Sequence, residues 1–112
     1  MGLFGFGKKK PANVEWPFSD APNTAVFTNK HVMAGKLITA VYHDEEEGAW
    51  QFHTDDPDTN SNAVLMIVAL SEVFSKDASI AELASLPVGH VARRSAKSAP
   101  WVINKHIREG DD

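Results

Sequence analysis

Apolar residues fall in short, interrupted runs along this chain rather than in long helical stripes. Ala25 to Thr28 reads as a first strand, and Asn29 to Gly35 as a turn or single helical turn closed by the glycine. Lys36 to His43 reads as a second strand. Ile38, Ala40 and Tyr42 fall on one of its faces and Leu37, Thr39 and Val41 on the other. Two apolar faces predict a central position in a sheet. Asp44 to Gly48 is a turn, and Ala49 to Thr54 is a third strand that closes a hairpin on the second. A five-residue loop sets His43 opposite Ala49. Tyr42 and Trp50 are then expected to share a face, with Ala40 and Phe52 below them.

Asp55 to Asn62 is polar and turn-rich and reads as a loop. In the apolar run Val64 to Val68, the β-branched Val64, Ile67 and Val68 favour a strand. Leu70, Val73 and Phe74 recur at helical spacing in a short helix that ends near Lys76. Ser79 with Glu82 three residues later is a capping-box pattern, so a second helix is expected to start at Ser79. Ile80, Leu83 and Leu86 form its buried stripe and Pro87 ends it. Val88 to Ser95 and Pro100 to His106 form a last hairpin around Ala96, Lys97 and Ser98. Upstream, Pro11, Pro17 and Pro22 block regular structure, leaving an extended lead-in whose Trp16 and Phe18 pack onto the body. The order predicts an α+β fold: a mainly antiparallel sheet of five to six strands with two short helices packed on one side. One domain is expected over residues 24–107, after a flexible tail and lead-in at 1–23 and before an acidic, frayed end at 108–112.

Composition narrows the function classes. The chain has 112 residues, 43% hydrophobic and 23% charged, which fits one globular domain with a real core. Its net charge of −4 argues against nucleic acid, whose recognition needs a basic face. Cysteine is absent, which points to a reducing cytoplasm and removes thiolate zinc sites and thiol catalysis. The longest apolar run, Ala63 to Leu70, is too short to cross a bilayer. The opening MGLFGFGKKK sets Leu3, Phe4 and Phe6 beside Lys8, Lys9 and Lys10, which makes peripheral membrane contact through residues 1–10 an alternative to a solvated tail. Neither a phosphate-cradling Gly-x-x-x-x-Gly-Lys loop nor a Gly-x-Ser-x-Gly elbow occurs.

Few residues suggest chemistry. Asp58 to Asn62 begins like a calcium loop, but Ala63 stands where the turn needs glycine and Ala69 where the cation needs a bidentate glutamate. Of the five histidines, His31, His43, His53, His90 and His106, only His43 and His53 are expected on adjacent strands and one face. That pair, with carboxylates of the 43–55 hairpin, supports an alternative reading as a metal- or small-molecule-binding domain or enzyme. Arg93 and Arg94 must point to opposite faces of their strand, and an ion pair with a carboxylate is expected there. The acidic runs are the better lead. Asp44, Glu45, Glu46 and Glu47 form one hairpin turn, and Asp55, Asp56 and Asp58 leave the other end of the same hairpin. Negative clusters of this kind steer and select a basic protein partner. We therefore read these seven residues as a partner-binding surface, with no catalytic residue, metal or cofactor.

Several strings resemble a known family. They are Trp50-Gln51-Phe52 before an acidic loop; Asp77-Ala78-Ser79-Ile80-Ala81-Glu82-Leu83; Leu86-Pro87-Val88-Gly89; Ala92-Arg93-Arg94; and Pro100-Trp101. Together with Ala25-Val26-Phe27-Thr28, Val32, Gly35 and Ile38, they look like the bacterial family known as domain of unknown function 2185, also described as immunity protein 33-like. The likeness covers about residues 24–104. It implies a bacterial domain, some of whose relatives are proposed to neutralise toxins by direct binding. It brings no catalytic residues and implies nothing for the lysine-rich amino terminus.

Overall fold

The structure, a computed structural model, describes residues 16–55 and 65–106. Six strands form one sheet: β1 (Ala25–Asn29), β2 (Ala40–His43), β3 (Trp50–His53), β4 (Leu65–Ala69), β5 (His90–Arg93) and β6 (Val102–Lys105). Their order across the sheet is β4-β1-β3-β2-β5-β6. Every neighbouring pair is antiparallel except β1 with β3, which is parallel. Three short helices accompany the sheet: α1 (Lys30–Met33), α2 (Leu70–Lys76) and a 3₁₀ helix (Ala78–Leu83). The fold is α+β with a mostly antiparallel sheet, as the sequence predicts. The single turn foreseen near Asn29 is a third helix, capped by the Asn29 side chain, which accepts from the Val32 N–H at 2.9 Å.

All three helices lie on one face. Val26, Val41, Trp50, Phe52 and Ala92 alternate onto that face, where they pack with Val32, Leu70, Val73, Ile80 and Leu83 in one cluster. Trp16 and Phe18 join it as predicted: Phe18 is buried, with its ring 5.5 Å from those of both Trp16 and Trp50.

Three local expectations are corrected. First, the hairpin register is shifted by one: His43 pairs with Trp50, and Tyr42 with Gln51. The loop is one residue longer than expected, because the Asp44 N–H closes it on the Ala49 carbonyl at 2.7 Å and two positive-φ residues, Glu47 and Gly48, turn the chain. Side chains alternate with period two, so the shift sends Tyr42 to the face opposite Trp50. Second, β2 begins at Ala40 rather than Lys36. Gly35 takes a positive φ and the Lys36 N–H folds back to the His31 carbonyl, so the chain joins the sheet late. Third, the helical segment after α2 is capped by Asp77, not Ser79. The Asp77 carboxylate accepts from the Ser79 N–H at 3.0 Å and the Ser79 hydroxyl at 2.5 Å.

Candidate functional site

Arg93 and Arg94 divide the molecule's chemistry between the two faces. Arg94 turns inward, where its side chain is almost wholly buried. Its Nη2 donates to Asp77 Oδ2 at 2.7 Å, its Nη1 to Ser79 Oγ at 2.9 Å and its Nε to the Ile38 carbonyl at 2.9 Å. The guanidinium also lies 4.1 Å from the Trp101 ring centre. Burial pushes the Asp77 carboxyl up, but the Ser79 hydrogen bonds and the Arg94 charge together hold it below the usual carboxylate range. This network ties the end of β5 to the helical layer and is structural.

Arg93 turns to the other, helix-free face and is exposed. Its Nη2 donates to the Tyr42 hydroxyl at 2.6 Å, and its guanidinium lies 5.5 Å from the Tyr42 ring centre. No carboxylate among the described residues pairs with it. Across the Tyr42 ring, His53 and His106 make edge contacts at 5.9 and 5.0 Å between centres. Gln51 and His53 alternate outward between the buried Trp50 and Phe52. The Gln51 amide N–H donates to Asp44 Oδ2 at 2.7 Å, which leaves its oxygen to accept from His53 Nε2–H at 3.0 Å. The chain His53–Gln51–Asp44 thereby assigns the His53 tautomer. Burial lowers the His53 pKa, partly offset by the Asp44 charge, which favours the neutral ring. Tyr42, Gln51, His53, Thr54, Asp55 and Arg93 line an open depression of about 310 Å³. A shallow polar–aromatic platform of this shape suits contact with another surface better than enclosure of a small molecule.

The predicted acidic residues frame this platform. Asp44 is tied into it through Gln51, Glu45, Glu46 and Glu47 stand exposed on the hairpin turn beside it, and Asp55 lines it at the other end of β3. Asp56 and Asp58 lie outside the described residues, as does the lysine-rich stretch 1–10. The expected pairing of His43 with His53 is corrected. His43 stacks on Trp50 at 3.8 Å on the helical side, where its Nδ1–H donates to the Leu86 carbonyl at 2.7 Å, and His53 is on the open face. The register shift that moved Tyr42 outward also separates these two histidines. Among the described residues no three His, Asp or Glu side chains gather in a metal-holding group, and no helix is long and apolar enough to cross a membrane.

Sequence reasoning marked the frame and missed its centre. The sequence places Tyr42 on the same face as Trp50, and the ion pair it predicts at the Arg93–Arg94 step is made by Arg94 with Asp77, which leaves Arg93 to the open face. The signal for the open face was the alternation Trp50-Gln51-Phe52-His53, which alone fixes the outward side of β3. Comparison with known proteins finds no matching family model, no matching curated protein and no matching solved structure.

Proposed function

We propose that this protein is a protein-binding module that holds a basic protein partner on the open face of its sheet. The observation that carries the reading is the helix-free face itself. It presents Tyr42 and an exposed Arg93 that has no carboxylate partner among the described residues, between carboxylates at both ends. Tyrosine and arginine are the residue types that most often anchor protein interfaces, and a carboxylate rim attracts and orients a basic surface. Binding, not catalysis, is the role this arrangement supports. The residues resembling the immunity protein 33-like family support a more specific form: a cytoplasmic bacterial protein that neutralises a toxin by covering part of it. A chain without cysteine fits a reducing compartment.

The test is positional cross-linking in the cell that makes the protein. A photoreactive benzoylphenylalanine replaces Gln51 on the open face or Glu82 on the helical side, and adducts are identified by mass spectrometry. One basic protein cross-linked from position 51 and not from 82 is the expected result. Adducts from 82 alone, or the same adducts from both, would remove the open face as the binding surface.

A further inference from the structure

The two edges of the sheet differ in how they are protected. Backbone N–H and C=O groups along an outer strand are free to pair with any extended chain, and natural edges are usually blunted by charge, proline or short length. β6 follows this rule: it has four residues, ends on Lys105 and is preceded by Pro100. β4 does not. Its five residues, Leu-Met-Ile-Val-Ala, carry no charge, glycine or proline, and among the described residues it pairs on one side only, with β1. Its side chains are unusually exposed for apolar groups, at 46% for Leu65, 38% for Met66 and 66% for Ile67. Phe27, 40% exposed and paired with Ile67, extends the patch inward, and these four residues line an open apolar depression of about 370 Å³. A contiguous exposed patch of this kind marks an interaction surface.

We infer that β4 is a self-association edge, through which two copies pair their β4 strands antiparallel about a two-fold axis and join their sheets into one. Edge backbone groups need another strand as their complement, and β4 is its own best one. With the axis at Ile67, Leu65 faces Ala69 of the second copy, Met66 faces its Val68 and Ile67 faces its Ile67, so every pair is apolar. The charges outside the strand also match. Lys30 follows Asn29, which neighbours Leu65 in the register, and Glu72 lies in the first turn of α2 just past Ala69. The two-fold sets the Lys30 end of each copy alongside the Glu72 end of the other. No carboxylate of the open-face platform belongs to this edge, so the dimer leaves that face free and the inference stands apart from the proposed function.

Sedimentation velocity of the full chain, from low micromolar to several hundred micromolar, tests this. The expected result is a concentration-dependent shift from one chain mass to twice that mass. Ile67→Lys sets two like charges opposite each other on the axis and is expected to weaken association at least about tenfold. Ile103→Lys on the β6 edge is expected to leave it unchanged. Ile67 is solvent-facing, so thermal melts of both variants are expected to match the parent and to separate lost pairing from lost folding. A chain that stays monomeric throughout, which would leave β4 to a strand of a different protein, overturns the inference. So does a dimer that Ile67→Lys does not weaken, or one that Ile103→Lys weakens equally.

Discussion

The side chains of Arg93 and Arg94 begin one peptide apart and end in opposite roles. Removing one member of a buried ion pair leaves the other uncompensated, so Arg94→Ala is expected to cost about 3–5 kcal/mol, a large part of a total stability of about 5–15 kcal/mol. Arg93→Ala is expected to stay within about 0.5 kcal/mol, as for other exposed positions. Urea unfolding of both variants checks the contrast, and equal costs would contradict it. A contact of each arginine's face, Asp77 beside Arg94 and His53 on the open face with Arg93, sets the pH response. Asp77 has a lowered pKa in the fold, so its contribution is complete above the unfolded carboxyl value of about 3.9 and is lost as pH falls through the lower folded value. His53 is also lowered, so the unfolded chain takes up this proton first, and stability declines as pH drops below about 6.5. Melting points measured from pH 7 downward are expected to fall in two stages, and His53→Asn is expected to flatten the first. An unchanged first stage in that variant would contradict the environment assigned to His53. Sequence alone indicated that the two arginines diverge. It did not say which faced inward, because that depends on where β5 joins the sheet.

At the scale of elements, the sequence was legible where local chemistry decides and misleading where one residue of loop length decides. α2 was read at its observed position from Leu70, Val73 and Phe74, and the last hairpin from Pro100 and the polar turn at Ala96 to Ser98. The hairpin of β2 and β3 was read with a loop one residue short. Nothing in Asp44-Glu45-Glu46-Glu47-Gly48 announces that the glutamate before the glycine also adopts a left-handed conformation, with φ of 60°. That conformation is costly for a residue with a Cβ. Glu47→Gly is therefore expected to stabilise the protein by roughly 0.5 kcal/mol, the relief of strain exceeding the entropic cost of glycine. A lower melting point in this variant would show that the turn is held by the glutamate side chain. The register error did not affect Trp50, which is buried in both readings. Trp50→Ala is still expected to cost about 3–5 kcal/mol.

For the whole molecule, the fold class followed from the order of elements, but the arrangement of the sheet did not. β1 lies parallel to β3 and antiparallel to β4, so the first strand is interior to the sheet although β2, which follows it in the chain, is not beside it. Pairings between strands distant in sequence leave no local pattern to read. The open face is a product of that arrangement: Tyr42 from β2, Gln51 and His53 from β3 and Arg93 from β5 meet only once the register of three strands is fixed. The acidic residues were visible because they are contiguous in the chain. The most direct measurement is calorimetric titration of the partner identified by cross-linking, once purified, into the parent protein and into the Tyr42→Ala/Arg93→Ala double variant. With two anchors removed, affinity is expected to fall about 100-fold or more, while the melting point stays within a few degrees of the parent. Unchanged affinity in a folded double variant would contradict the assignment of the open face as the binding surface.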